Sequence, residues 1–215
     1  MGQDARRPNA GRVALTFDME HPSRARHDPA NPGRMLDALQ AAGARATFFV
    51  QGRWARSEPD TARRVVDEGH LLGCHSHHHA PLVSLTDDGV RRDVEAASSA
   101  LAQVTGVSPR PWFRCPFGAG HDDPRVLGLL DECGYRNVHW NVEPQDWLED
   151  KTVDQLTASV LDDVVRKGDS AVVLLHSWPS VTAAALPTLI AELTARGYEL
   201  VGVDSLQELP TRDEA

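Results

Sequence analysis

The sequence predicts an α/β protein with a mainly parallel sheet, and three observations carry that prediction. Seven short, apolar, partly β-branched runs alternate with segments of helical spacing. Glycines stand where four of the helical segments should stop: Gly43, Gly69, Gly134 and Gly197. The strand runs are apolar almost throughout rather than alternating, as expected of strands covered on both faces.

Taken in order, Val13 to Phe17 (VALTF) reads as the first buried strand. A polar loop follows, and Asn31-Pro32 opens a helix that runs to Gly43. ATFFV is the second strand, Asp60 to Glu68 a helix ending at Gly69, and LLGC the third strand. Thr86 opens the longest helix, which continues to about Val104 with Val90, Val94, Ala97 and Leu101 on one face. WFRC is a short fourth strand, Pro124 to Cys133 a helix, and RNVHW the fifth strand. Thr152 with Gln155 forms a capping box at the start of the next helix. AVVLL is the sixth strand, Ala183 to Arg196 a helix whose true first turn Pro187 could define, and ELVGV the seventh strand. Seven is one short of the common eight-fold barrel, and an open doubly wound sheet has the same pattern. Either way the active site belongs at the carboxyl ends of the strands.

The chain has 215 residues, 41% hydrophobic and 25% charged, enough for one domain with a substantial core. Its formal net charge of -9 argues against nucleic-acid binding and against attraction to anionic membranes. No apolar run approaches the length of a membrane span. Cys74, Cys115 and Cys133 are odd in number and form no C-x-x-C pair, which favours a reducing compartment. The opening MGQDARRPNAGR is basic but has no apolar stretch behind it, so a cytoplasmic location is expected. The expected organisation is an N-terminal tail over residues 1–11, a catalytic domain over 12–209 and a C-terminal tail over 210–215.

Titratable residues sit just past the strand runs: Asp18 and Glu20, the His75–His79 run, Arg114, Asp146 and His176. His75 and His79, four apart in HSHHHAP, would meet on one side of a helical turn and suit a divalent transition metal. A polar loop that happens to be histidine-rich would look the same. His77 and His78 lack a partner at that spacing within the run. On an extended strand Asp18 and Glu20 point one way and Met19 the other. Two carboxylates on one side could divide labour, one ligating a metal and one acting as base, or simply begin an acidic loop. Alone, His176 reads more readily as a structural histidine, Arg114 equally as an ion-pair partner and Asp146 equally as a cap. The loops Glu20–Gly33 and Phe117–Pro124 should rim the mouth, and Trp178 could stack on a sugar face or simply pack.

In order along the chain, LTFDME, HSHHH, FRCPFG, the EPQDW segment and VVLLHS resemble the polysaccharide deacetylase family, also called the NodB-homology or carbohydrate esterase family 4 domain. The resemblance runs from about Val13 to Val203. It implies a single-domain distorted (β/α)7 barrel. It also implies a hydrolase that removes an acyl group, N-acetyl for choice, from an amino sugar or related amide. A divalent metal, Zn2+ before Co2+, Ni2+ or Mn2+, would activate the attacking water. By the same resemblance Asp18 looks like the base, and His75 and His79 like metal ligands. Arg114 looks like the residue that orients the base, Asp146 like the partner of His176, and His176 like the general acid. Trp147 and Leu174 look like apolar walls for the acyl methyl, with Pro116 and Phe117 at the substrate and oxyanion side. One departure stands out. The family usually has a second aspartate after the base as third ligand; here that position is Met19, a poor partner for zinc, and Glu20 is the natural substitute. The alternatives are an O-acetyl esterase, a deformylase or a cyclic amide hydrolase on the same site, and an inactive carbohydrate-binding module.

Overall fold

A computed structural model describes residues 10–21 and 28–210. Its strands are β1 (Gly11–Met19), β2 (Thr47–Val50), β3 (Leu71–Cys74), β4 (Trp112–Phe113), β5 (Arg136–Asn137), β6 (Ala171–His176) and β7 (Tyr198–Leu200). The helices are α1 (Asn31–Ala42), α2 (Gly52–Ser57), α3 (Pro59–Asp67), α4 (Asp87–Thr105), α5 (Pro124–Glu132), α6 (Val153–Lys167) and α7 (Ser180–Ala195). All seven expected strands are present, and every pairing among them is parallel.

The sheet runs β5-β4-β3-β2-β1-β6, with β7 also bonded to β1. β6 pairs with β1 from Val13 to Asp18, so it occupies one whole edge. The other edge is shared: β7 takes Gly11 to Val13 and β2 takes Thr16 to Met19. The ring closes just after β5, where Val142 N–H donates to Val172 O (3.1 Å) and Leu174 N–H donates to Val142 O (2.9 Å). A single parallel bridge, Val142 with Val173, therefore stands where a longer strand pairing would complete a regular barrel. The result is a distorted (β/α)7 barrel in one domain, as the sequence resemblance implied.

Alternation along the strands makes two apolar regions. Val13, Leu15, Phe17 and Met19 of β1 face the helix layer, where they join the main core. Ala14 faces the barrel interior with Phe49, Val138 and Val172. Met19 is fully buried in the helix-facing layer, so β1 does hold Asp18 and Met19 on opposite faces. Glycine at position 73 makes room for the interior packing: a Cβ there would meet the Phe49 ring at 2.6 Å.

Several boundaries differ from the sequence expectation. β1 starts at Gly11, inside the expected N-terminal tail, and the rest of that tail up to residue 9 lies outside the described residues, as do residues 211–215. β4 and β5 cover two residues each, because WFRC and RNVHW spend their later residues turning into the mouth. α7 begins at Ser180 and carries Pro187 inside it, so Pro187 does not mark the first turn. α2 was not expected. It is only six residues long, and Gly52 at its start is pressed against the histidine loop: a Cβ there would lie 2.5 Å from His77 Nδ1. The capping box at Thr152 and Gln155 is formed on both sides. Among the described residues no helix is long and apolar enough to cross a membrane.

Candidate metal centre and acid–base site

The strand ends bring Asp18, His75, Arg114 and His176 into one mouth. Asp18 and His176 are register partners across β1 and β6. His75 follows β3, and Arg114 follows β4, its backbone N–H donating to Cys74 O. His75 Nε2 is 3.1 Å from His79 Nε2 and 3.5 Å from Asp18 Oδ2. His79 Nε2 is 3.5 Å from Glu20 Oε1, and His176 Nε2 is 3.7 Å from the same oxygen. Ligand atoms of Glu20, His75 and His79 all lie within 4.8 Å of one another.

This donor set fits a divalent metal. His75 Nδ1–H donates to the Arg114 carbonyl (2.9 Å), which fixes the tautomer and leaves the Nε2 lone pair facing the cluster. Burial, with the neighbouring His75, pushes His79 down to about 3, so its ring is neutral and able to ligate. Two imidazole nitrogens and one carboxylate oxygen within 4.8 Å of one another are a donor set that zinc accepts.

The two histidines do not meet through a helical turn. The segment after β3 is irregular, with Ser76 and His79 both at φ 58°, and that left-handed turn folds His79 back over His75. Ser76 Oγ accepts the His79 N–H (2.8 Å), and buried Asp93 of α4 accepts the N–H groups of His77 (2.8 Å) and His78 (3.1 Å). The ring of His77 is thereby turned away, toward α2.

Arg114 is buried in the barrel interior beneath Asp18. Its Nη1 donates to Asp18 Oδ1 (2.9 Å) and to Thr16 Oγ1 (2.8 Å), and its Nε donates to Val138 O (3.1 Å). The guanidinium carbon lies 4.1 Å over the Phe49 ring and 5.5 Å from the centroid of Trp140, a cation–π arrangement with two rings. Thr16 passes the restraint on by donating to Val173 O. Burial alone would raise the Asp18 carboxyl, but His75, Arg114 and His176 outweigh it and hold Asp18 below the usual carboxylate range.

His176 is the opposite case. Burial would lower it, but Asp146 foremost, then Asp18 and Glu20, raise it to about 9. Asp146 Oδ1 accepts from His176 Nδ1 (2.8 Å), and Oδ2 accepts the His176 backbone N–H (2.7 Å). A left-handed residue, Gln145 at φ 56°, turns Asp146 back toward β6. The imidazole of His176 in metal-free Asp146→Asn protein should titrate well below 9, toward its ordinary 6.5, because the chief charge favouring the imidazolium is gone. Histidine NMR titration measures this; an unmoved value would show that Asp146 does not set it.

The remaining expected residues divide by position. Trp147 packs edge-on to His176 (ring centroids 5.3 Å apart), and the Trp178 ring lies tilted 5.9 Å from it. The Trp178 carbonyl accepts from buried Asn31, which ties that segment to α1. Leu174 is buried on β6, one alternation below His176 and on the same face. Pro116 is buried, whereas Phe117 is 67% exposed, has φ 58° and packs its ring 4.4 Å from that of His79. Of the loop expected to rim the mouth, residues 22–27 lie outside the described residues. Sequence reasoning missed Thr16, Phe49, Asp93, Trp140 and Thr182. Only Thr16 had a visible signal, its place two residues before Asp18 on the same strand face.

The fold and the site define a class: a parallel α/β barrel whose mouth holds two imidazoles and a carboxylate in metal-ligand arrangement, between an ionised aspartate and a protonated histidine. The family model described as polysaccharide deacetylase matches residues 5–138, and the chain belongs to that family. A peptidoglycan-N-acetylglucosamine deacetylase of Listeria monocytogenes is 33% identical over 91% of this chain and 38% of its own length, so the chain spans about two fifths of that relative. A chitooligosaccharide deacetylase of Azorhizobium caulinodans is 31% identical over 93% of this chain and 97% of its own. A solved carbohydrate esterase family 4 pseudoenzyme from Bacillus anthracis superposes with a TM-score of 0.80 at 26% identity, covering 94% of this chain and 67% of that one.

Proposed function

We propose that this protein is a metal-dependent carbohydrate deacetylase that hydrolyses the N-acetyl group of an amino sugar, and that zinc is its metal. The observation that carries the reading is a division of charge across one cluster: the Asp18 carboxylate is paired with the buried Arg114 guanidinium at 2.9 Å, while His176 is held protonated chiefly by Asp146 at 2.8 Å. Carboxylate and imidazole pushed apart in this way are suited to act as base and acid at neutral pH. The relatives' action on N-acetylglucosamine and chitooligosaccharide favours an N-acetylated sugar.

Glu20, His75 and His79 would hold the ion. Bound there, a divalent metal supplies Lewis acidity and lowers the pKa of a coordinated water to about 7. Asp18, aimed by Arg114, takes a proton from the attacking water as its oxygen bonds to the amide carbon. The Phe117 backbone N–H meets the developing oxyanion. His176 Nε2 gives its proton to the nitrogen as the C–N bond breaks, because an amine leaves poorly as an anion. The products are a carboxylate and a free amine. Trp147 and Leu174 flank the acyl methyl, and Pro116, Phe117 and Trp178 line the sugar side.

A pseudoenzyme among the similar structures means that membership of the family does not by itself assign an activity. The gathering of Asp18, Glu20, His75, His79, Arg114 and His176 at one mouth favours the enzyme over an inactive binding module. The test is acetate release from an N-acetylglucosamine oligomer, before and after chelation and again after adding zinc. Activity should vanish with the metal and return with it, and Glu20→Ala should weaken zinc binding by at least about 10–100-fold, the loss typical even of outer partners. No acetate from the oligomer, but release from an O-acetylated sugar, would move the reading to an esterase. Unaltered zinc affinity in Glu20→Ala would remove Glu20 from the ligand set.

A further inference from the structure

Thr182 lies on the first turn of α7, fully buried, and its Oγ1–H donates to Asp146 Oδ2 at 2.6 Å. That oxygen already accepts the backbone N–H of His176, while Oδ1 accepts from the imidazole. The Asp146 carboxylate is thus held by three donors from two elements: two from the end of β6 and one from α7. The two from β6 both belong to His176, so they move with the residue that Asp146 has to orient. Thr182 is the independent anchor. The torsion about Cβ–Cγ of an aspartate is broad and roughly two-fold, so a carboxylate without a third donor has several orientations open to it. A short charge-assisted hydrogen bond selects one of them.

We propose that Thr182 is a positioning residue for the proton donor: its hydroxyl locks the Asp146 carboxylate so that His176 Nε2 is aimed at the leaving nitrogen. This rests on the reading of His176 as general acid. The lock acts on donation to a poor leaving group, and not on metal binding or on attack at the carbonyl. Thr182 should therefore matter for an amide and much less for an ester whose leaving group departs as an anion without a proton.

The test compares Thr182→Val, which keeps the shape and loses the hydroxyl, with Thr182→Ser, which keeps the hydroxyl and loses the methyl. Both are assayed on an N-acetylglucosamine oligomer and on 4-nitrophenyl acetate. Thr182→Val should lower kcat on the amide by about tenfold, the size of one hydrogen bond to a charged group, with KM and zinc affinity little changed. Its nitrophenyl ester rate should fall far less, and Thr182→Ser should recover most of the amide loss. Wild-type amide turnover in Thr182→Val, an equal fall on both substrates, or as large a loss in Thr182→Ser would overturn the proposal. If Thr182→Val does not fold, Thr182→Ala carries the same comparison. His176→Ala on the two substrates is the control: if it spares the amide, the acid assignment itself fails, whatever Thr182 does.

Discussion

His176→Ala should lower amide turnover by about 10²–10⁴-fold, the usual range for removing a positioned acid, while zinc content stays at the wild-type level. The proposed metal ligands are Glu20, His75 and His79, so removal of His176 leaves all three donors in place. The pH dependence follows from the same residue. His176 is raised to about 9, so it carries the transferable proton below that value and loses it as the pH rises through it. Wild-type turnover should fall on an alkaline limb below pH 9, because a cation held at Glu20 opposes the imidazolium, and the His176→Ala profile should lack that limb. Retained turnover on the amide, or an identical alkaline limb in the variant, would refute the role.

Arg114→Met should produce the largest change in stability. The guanidinium and Asp18 form a buried pair 2.9 Å apart, and removing one partner of such a pair leaves an uncompensated charge, at about 3–5 kcal/mol. The urea midpoint should drop accordingly. Without Arg114, one of the charges that offsets burial at Asp18 is gone, so its carboxyl should bind a proton at higher pH and the acid limb of kcat/KM should move upward. Adding Asp18→Asn to Arg114→Met removes the stranded charge and should return part of the lost stability. A double variant less stable than the wild type by the full sum of the two single losses would show that the pair is not coupled.

Much of this was legible in the sequence, for identifiable reasons. Buried strands of a parallel sheet are apolar along their length, and AVVLL or ATFFV can hardly be read otherwise. The period of two on β1 assigned Asp18 and Met19 to opposite faces, and Met19 indeed packs with the helix layer. The ordered motifs carried the family, and with it the residues at the mouth. What escaped has a common physical cause. Contacts that support a site come from distant positions: Asp93 reaches the histidine loop from α4, and Thr182 reaches Asp146 across 36 residues. Neither has a local pattern to betray it. The His75–His79 geometry was expected from helical spacing but depends on two left-handed residues, which no residue type in HSHHH signals. The short span of β5 and the single bridge at Val142 reflect where backbone leaves the sheet, a tertiary matter that propensity does not encode.

The register of β1 against β6 has a consequence for how this scaffold tolerates change. The residues proposed to accept and to donate the proton, Asp18 and His176, are direct neighbours on one hydrogen-bonded ladder. Their backbones are therefore held at the sheet repeat of about 4.8 Å, a spacing fixed by peptide geometry and not by any loop. Insertions or replacements in the segments around the opening can alter which molecule is admitted without altering the gauge between the two proton-handling groups.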